Sequence, residues 1–148
     1  MIDKIDREIL LLLGANARVS NAEIAKRIAM TPPGVLDRIR KLEKRGVIKG
    51  YETRIDTRQV DLGMTVLIMV QTSENVGINK VGEALAKLSK VQEVHYLTGE
   101  FCYMLKVWVR DTDDLTCFLE QIGKIKNVRD TRTTLVLKTI KETLELAL

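Results

Sequence analysis

The stretch from Ser20 to Gly46, SNAEIAKRIAMTPPGVLDRIRKLEKRG, predicts two short helices joined by a tight turn. Ser20 followed three residues later by Glu23 is a capping-box pattern, which marks the start of the first helix. Thr31 is a good N-cap, and Pro32 suits the first helical position because its missing N–H leaves no hydrogen bond unmade there. The sequence therefore predicts a second helix that begins at Pro32.

This second helix combines an apolar stripe with a basic opposite face. Val35, Ile39 and Leu42 recur at helical spacing and predict the buried side. The other arc starts with small residues and continues with cations, an order that suits the recognition helix of a helix-turn-helix motif. An ordinary solvated basic helix is the alternative. We predict a DNA-binding set of Ser20, Thr31, Pro32, Gly34, Asp37, Arg38, Arg40, Lys41, Lys44 and Lys49.

The roles within this set follow from position along the helix. Thr31, Gly34 and Asp37 lie nearest the N-terminus, where recognition helices contact base edges, so we expect them near the floor of the major groove. The cations that follow are expected on phosphates or guanine edges, and they are Arg38, Arg40, Lys41 and Lys44.

The flanking segments complete a small helical domain. Ile2, Ile5, Ile9, Leu12 and Leu13 form a stripe on a third helix that starts from Asp3 and closes near Gly14. Downstream, Gly46 to Tyr51 is typical of a helix stop followed by a short strand, as in a winged or strand-tethered domain. We expect a helix-turn-helix domain over residues 1–50 and a strand linker over residues 51–63.

The net charge is confined to this part of the chain. Residues 1–63 hold 13 Lys or Arg against 9 Asp or Glu, whereas residues 64–148 hold 11 of each. From Arg38 to Lys49 there are six cations against the single acid Glu43. A clustered basic patch on one domain favours double-stranded DNA as the partner, not a membrane.

The second part of the chain alternates strands and helices. The apolar run Met64–Thr72 predicts a strand, the spacing of Val81, Leu85 and neighbouring apolar residues predicts a helix, and 91–98 and 101–109 predict two more strands. A second helix starts at Thr112 and closes at Gly123, and 128–137 predicts the last strand. This β-α-β-β-α-β order predicts an α+β protein whose ferredoxin-like domain, residues 64–148, has two helices on one face of a four-stranded sheet.

One predicted strand carries large apolar groups on both of its faces. Met104 and Trp108 alternate with Tyr103, Leu105 and Val107. Because the helices cover only one face of the sheet, we expect a second subunit to cover the other, which makes the protein a homodimer or a larger assembly. The alternative is that the C-terminal segment 139–148 folds back over this face.

Composition indicates a protein of the cytoplasm without a cofactor. There is no apolar run of roughly 18 residues, the length that spans a bilayer, and the charged N-terminal helix does not resemble a signal peptide. Cys102 and Cys117 lack the spacing of a metal or redox pair, so we expect packing thiols and no metal site. His95 is the only histidine, which leaves no His pair for catalysis.

Several of these patterns together resemble the leucine-responsive regulatory protein family, also called Lrp/AsnC or feast/famine regulators. The resemblance rests on DREILLLLGANARVSNAEIAKRIAMTPPGVLDRIRKLEKRGVIKGYETRID, followed by a β-α-β-β-α-β module containing VHYLTGEFCYMLKV. It covers nearly the whole chain and implies a transcription regulator. The resemblance further implies an N-terminal domain that binds DNA and a C-terminal domain that dimerises, senses small molecules and assembles into tetramers or octamers.

By the same resemblance, an amino-acid effector binds between subunits near the loop 98–102. The family commonly has an acid at the position of Cys102, which pairs with the ammonium group, and a thiol cannot supply that charge-assisted hydrogen bond. Three alternatives follow: Glu100 takes the place of this acid, the ligand is a different one, or the site is vacant. The expected effector-binding residues are Leu97, Thr98, Gly99, Glu100, Cys102, Thr133 and Thr134, although threonine in a strand usually reflects β propensity.

Two other functions are compatible with such an architecture. An architectural protein would wrap DNA with little sequence preference. A tetrapyrrole decarboxylase would use a similar two-domain plan for catalysis, but the resemblance there involves histidines near the substrate, and this chain has His95 alone. We therefore expect a sequence-specific DNA-binding regulator and not an enzyme.

Overall fold

The computed structural model describes residues 2–144, and its chain contacts divide into two compact units. One unit contains the chain up to Arg54 and the segment that begins at Lys141; the other runs from Ile55 to Ile140. The helices are α1 Lys4–Ala15, α2 Asn21–Arg27, α3 Pro32–Lys44, α4 Lys80–Ala86 and α5 Thr112–Gly123. The strands are β1 Met64–Thr72, β2 Val91–Tyr96, β3 Tyr103–Val109 and β4 Val128–Val136. Within the described residues, no helix is long and apolar enough to span a bilayer.

Side-chain caps set the starts of the first three helices. Asp3 and Asp6 form a reciprocal capping box at the start of α1, with each carboxylate accepting a hydrogen bond from the other residue's backbone N–H. Ser20 accepts from Glu23 N at 3.1 Å as predicted, but the Glu23 carboxylate binds Arg27 at 2.6 Å instead of returning to Ser20. The predicted capping box at Ser20 is therefore only half formed, because a nearby cation competes for its acid.

The helices of the first unit enclose a small core. Its fully buried members come from all three helices and include Ile9, Ile24, Val35 and Leu42. The turn between α2 and α3 requires Ala29 at φ 53°, a left-handed conformation that L residues adopt at a cost of roughly 1 kcal/mol. This conformation lets Met30 N bond back to Ala25 O at 2.9 Å and turns the chain toward α3.

The strand predicted after Gly46 does not form. Gly46 takes φ 68°, and Val47 N and Ile48 N both bond to Leu42 O, at 2.9 and 3.3 Å, which closes α3. Residues 49–56 have no regular structure, and a short 3₁₀ helix follows at Thr57–Val60. A strand needs a neighbour with which to pair, and the described residues of this chain provide none for this segment.

The second unit has the predicted ferredoxin-like fold. Its sheet has the order β2-β3-β1-β4 with every pair antiparallel, and α4 and α5 cover one face. The largest core side chains on that face are Tyr103, Phe118, Ile68, Leu85 and Leu105. The strands β2 and β3 are shorter than predicted, because Gly99 at φ 108° lies in a turn that takes residues 97–102 out of the sheet.

Within the described residues, no helix of the second unit covers the opposite face of the sheet. This face presents Leu67 and Met69 of β1 beside Met104, Lys106 and Trp108 of β3, all half-buried. Leu137 and Ile140 of the second unit are 85% and 83% exposed, so they do not pack on this face, and residues 141–144 group with the first unit. The rest of the segment that was expected, as the alternative, to fold back over this face, residues 145–148, lies outside the described residues.

Each unit contains a buried aspartate. Asp6 and Asp114 are both 7% exposed. Asp114 lies at the start of α5, where it accepts from Lys90 Nζ, from Arg110 N at 3.1 Å and from Arg110 Nη2 at 3.3 Å. The hydrogen bond from Lys90 is the largest of the effects that lower the pKa of Asp114 well below its ordinary value. This cluster anchors the β3–α5 corner of the second unit.

Candidate functional site

The exposed face of α3 brings most of the predicted DNA-binding residues together. Val35, Ile39 and Leu42 are buried, so the rest of the helix circumference is turned outward. Gly34 lies half-buried near the start of this face, and a Cβ there would lie 3.1 Å from both Met30 Cε and Thr31 Oγ1. The exposed members of the predicted set on this helix and at its cap are Thr31, Pro32, Asp37, Arg40, Lys41 and Lys44.

The exposed residues of the predicted DNA-binding set differ in the contacts that they already make within the chain. Thr31 Oγ1 accepts from Gly34 N at 3.3 Å, so its hydroxyl caps α3 and retains a proton to donate. Lys41 Nζ lies 2.7 Å from Asp37 Oδ2, but both side chains are exposed and such pairs contribute little, so the lysine can exchange this partner for a phosphate. Ser20 and Lys49 are exposed and lie off α3, on the cap of α2 and in the irregular segment.

Arg38 is engaged differently from the sequence-based expectation. Its Nη1 lies 2.7 Å from Asp3 Oδ2 and 2.8 Å from Asp6 Oδ1, so the guanidinium joins α3 to the start of α1. These hydrogen bonds raise the pKa of Arg38, and the backbone bond from Asp6 together with Arg38 lowers the pKa of Asp3. Helical geometry explains the difference: position 38 lies only about 60° from Val35 and about 40° from Leu42, which places it beside the buried stripe.

A second candidate site is a cleft at one end of the ferredoxin-like sheet. It has a volume of about 400 Å³ and lies between the loop after β1 and the turn between β2 and β3. Five predicted effector-binding residues line it, namely Leu97, Thr98, Gly99, Glu100 and Cys102. The turn is closed by a hydrogen bond from Leu97 N to Cys102 O at 2.7 Å. The sequence therefore identified one wall of the cleft.

The polar groups on this wall already have partners within the chain. Cys102 Sγ lies 3.4 Å from Thr72 Oγ1, and Glu100 Oε1 accepts from Gln71 Nε2 at 3.1 Å. Cys102 also packs against the core, as predicted for a packing thiol, whereas Cys117 is exposed on α5, contrary to that prediction. In the part of the chain that the structure describes, no group of three His, Cys, Asp or Glu could hold a metal ion.

The facing wall was not found from the sequence. It contains Glu74, Val76 and Ile78 from the loop after β1, with Tyr96 and Tyr103 at its base. Burial, followed by the charge of Glu74, raises the pKa of Tyr103. The strand order was the signal that could have identified this wall. In a ferredoxin-like sheet β1 pairs antiparallel with β3, here with Val70 opposite Tyr103, so the end of β1 must lie beside the turn before β3.

Thr133 and Thr134 do not line this cleft. They pair with Ile68 and Leu67 near the middle of β1, while the cleft lies at the far end of that strand, where Val128 pairs with Thr72. Since successive strand residues also point to opposite faces, the two threonines do not share a side of the sheet. Within this chain the two threonines are therefore not part of the cleft, and their role in an effector site between subunits stays a prediction.

Comparison with known proteins agrees with both halves of this architecture. Residues 2–49 match a family model described as winged helix-turn-helix DNA-binding, and residues 65–146 match one described as the Lrp/AsnC ligand binding domain. The chain belongs to the Lrp/AsnC family of transcription regulators. Membership confirms the predicted fold class and the DNA-binding regulatory function, and it makes the tetrapyrrole decarboxylase alternative wrong, since this is not a family of enzymes.

Individual Lrp/AsnC relatives align over almost the whole chain. The leucine-responsive regulatory protein of Escherichia coli is 36% identical over 146 residues, which cover 95% of this chain and 88% of that protein. A transcriptional regulator of Neisseria meningitidis in complex with L-methionine superposes with a TM-score of 0.90 at 30% identity, covering 99% of this chain and 96% of that one. A feast or famine regulatory protein of M. tuberculosis, complexed with L-methionine, gives 0.89 at 30% identity over 96% of each chain.

Proposed function

We propose that this protein is a sequence-specific transcription regulator that binds DNA through α3 and responds to an amino acid held in the cleft. The observation that carries the DNA-binding part is the outward face of α3, where small residues are followed by Arg40, Lys41 and Lys44. Small residues allow close approach to base edges, and the cations meet the flanking phosphates. Such a regulator works in the cytoplasm, with the DNA that it controls.

Arg38 has a separate role in this proposal. Because Asp3 and Asp6 occupy its guanidinium, Arg38 sets the position of α3 relative to α1 instead of supplying a phosphate contact. Asp6 is buried, so the ion pair is shielded from solvent better than the exposed pair of Lys41 with Asp37.

The open face of the sheet is proposed as the surface that forms a homodimer. Leu67, Met69, Met104 and Trp108 give it an apolar centre, which no helix of the second unit covers among residues 2–144. A second copy of the chain, placed by two-fold symmetry, would bury this centre. Leu67→Glu should then shift the protein toward monomers in analytical ultracentrifugation. Leu135→Glu is the matched control, since Leu135 lies at the sheet edge on the other face, and an equal shift in both variants would remove this surface from the interface.

A two-fold dimer determines the form of the operator. Two copies of α3 in successive major grooves require a pseudo-palindrome whose half-sites lie about one helical turn apart. Further assembly to tetramers or octamers would place several such pairs along the DNA. A ligand regulates this arrangement only if it binds one assembly state more tightly than another.

The amino-acid part of the proposal is supported by the cleft and by the L-methionine complexes of two relatives. Among residues 2–144, no acceptor is paired with the backbone N–H groups of Thr98, Gly99 and Glu100. These donors suit the carboxylate of an amino acid, while Val76 and Ile78 suit an apolar side chain.

The test is a selection of bound fragments from genomic DNA at physiological salt, with excess nonspecific competitor, followed by footprinting. We expect a short two-fold motif protected in steps of one helical turn, with a specificity ratio of about 10³ or more over bulk DNA. Broad protection without a motif would favour an architectural protein that wraps DNA. The selection is then repeated with each of the common amino acids to find which one changes the footprint.

A further inference from the structure

Glu74 is a carboxylate in the cleft that the sequence-based prediction did not include. It lies in the loop after β1, opposite the turn that carries Cys102, and both residues line the same cavity. The family resemblance places an acid at position 102, where this chain has a thiol that cannot accept a charge-assisted hydrogen bond from an ammonium group. The cleft nevertheless contains an acid, supplied from a different strand end.

The contacts of Glu74 hold its carboxylate in one orientation. Its two oxygens lie 3.1 and 3.2 Å from Val81 N, and Oε2 lies 3.4 Å from the hydroxyl of Tyr103. The Val81 contact caps α4, whose N-cap residue Asn79 makes no side-chain cap of its own. An ionised carboxylate offers about four acceptor positions, so these contacts leave capacity for one more donor.

The charge of the cleft also favours a cationic group. Its lining contains two acids, Glu74 and Glu100, and none of the lining residues is Lys, Arg or His. Glu100 is exposed and already accepts from Gln71, whereas Glu74 is half-buried. A charge in the less solvated position is screened less by water and salt, so Glu74 attracts a cation more strongly than Glu100.

Aromatic rings lie beside this carboxylate. The centroids of Tyr96 and Tyr103 are 5.3 Å apart, and both residues line the cleft with Glu74. The hydroxyl of Tyr103 lies 3.4 Å from Glu74 Oε2, so an ammonium group bound to Glu74 would also lie close to this hydroxyl, whose oxygen can accept a hydrogen bond. Val76 and Ile78 also line the cleft, and their exposed side chains offer aliphatic surface to the apolar part of the same ligand.

We infer that Glu74, and not residue 102, supplies the carboxylate that binds the ammonium group of an amino-acid effector with an apolar side chain. This inference rests on the proposed effector function of the cleft and adds the residue that selects for an amine. Glu74 therefore has two tasks, since it caps α4 and also binds the ligand.

The test is a thermodynamic cycle that removes the carboxylate from the protein and the amine from the ligand. Calorimetry on the full-length protein compares wild type and Glu74→Gln, each with L-methionine and with its deaminated analogue γ-methylthiobutyrate. We expect Glu74→Gln to weaken L-methionine binding by about tenfold or more and to leave the analogue within about twofold. A loss confined to the amine-bearing ligand would not result from damage to the fold. L-leucine and its deaminated analogue isocaproate form a second ligand pair.

Two further variants control for charge and for structure. Glu100→Gln removes the same charge from the other acid of the cleft and tests it as the rival ammonium ligand, and we expect a smaller amine-dependent loss of affinity than for Glu74→Gln. Glu74→Asp keeps the charge but shortens the side chain, so its L-methionine affinity should fall between those of wild type and Glu74→Gln. Thermal unfolding and DNA binding of each variant check that it is folded.

The outcomes separate this inference from the function on which it rests. If wild type binds L-methionine but Glu74→Gln binds it equally well, or if the amine-dependent loss appears in Glu100→Gln instead, Glu74 is not the ammonium ligand and the effector function stands. If wild type binds neither L-methionine nor L-leucine, both the inference and an apolar amino-acid effector are wrong, while the DNA selection still decides the regulatory function independently.

Discussion

The two candidate sites are built in different ways. The predicted DNA-binding face comes almost entirely from one helix, Pro32–Lys44, and its cap, so its members are neighbours in sequence. The cleft is assembled from the loop after β1, the end of β2 and the turn before β3, so residues about thirty positions apart, such as Thr72 and Cys102, lie in contact.

This difference indicates how each site should respond to substitution. A helix face stays intact when one exposed side chain is removed, so exposed residues of α3 should act independently, provided that the helix keeps its position. The cleft has walls from separate elements, so a change in packing between those elements should alter the whole site. Substitutions in each region can test this contrast.

The largest effect is expected where α4 packs against Tyr103, one of the residues that line the cleft. A Cβ on Gly82 of α4 would lie 2.5 Å from Cε1 of Tyr103, a fully buried ring that cannot move aside. Gly82→Ala should lower the free energy of unfolding by about 1–3 kcal/mol in urea titrations at fixed protomer concentration and should weaken ligand binding in the cleft.

Gly34→Ala is the matched control for this substitution. A Cβ there would meet the flexible end of Met30 and the Thr31 hydroxyl at 3.1 Å, and alanine is the better helix former, so stability should be unchanged or slightly higher. Equal destabilisation by both substitutions would contradict the contrast between the two regions.

The next effect tests the position of α3. Arg38→Gln removes the ion pairs with Asp3 and Asp6, so we expect DNA binding to weaken by roughly tenfold because α3 loses its tie to α1. The salt dependence of binding should keep its slope, since no phosphate contact is lost. A slope that falls by about 0.9 would instead show that Arg38 contacts a phosphate, as its place in the sequence had suggested.

A smaller and purely local effect is expected from the exposed cations of α3. Arg40→Ala and Lys41→Ala should each lower the slope of log K against log salt by about 0.9, because each removes one phosphate contact. Stability should change little. Lys87→Ala removes an exposed charge from the second unit and serves as the control. If all three substitutions give the same slope, the phosphate contacts do not lie on this helix.

The smallest effect concerns the turn between α2 and α3. Ala29→Gly should raise the free energy of unfolding by up to about 1 kcal/mol, because glycine adopts φ 53° without the steric cost that alanine meets. The affinity for DNA should not change, since the turn keeps its conformation. Circular dichroism during thermal unfolding measures the first quantity and fluorescence anisotropy the second. A destabilised variant would show that the methyl group of Ala29 makes packing contacts that outweigh backbone strain.

Local signals were sufficient wherever an element depends on its own residues. Ser20, Thr31 and Pro32 marked helix starts because capping involves atoms within three positions of each other, and β1 and α5 were predicted with their observed bounds. The order of elements then predicted the ferredoxin-like sheet, because few topologies join strands and helices in that order. Membership of the Lrp/AsnC family was recognised from the same residues.

Competition between distant groups was decided only by the tertiary structure. The sequence indicated that Arg38 is a cation on a basic helix, but Asp3 and Asp6 bind it because α1 packs against the side of α3 on which it lies. Glu74 and Cys102 share a cleft because β1 and β3 are antiparallel neighbours. Thr133 and Thr134 lie away from it because they pair with Ile68 and Leu67 near the middle of β1, whereas the start of β4 pairs with the end of β1. Capping and periodicity act over a few residues and can be recognised in the linear sequence. The partner of a charged side chain depends on which surfaces meet in the folded structure.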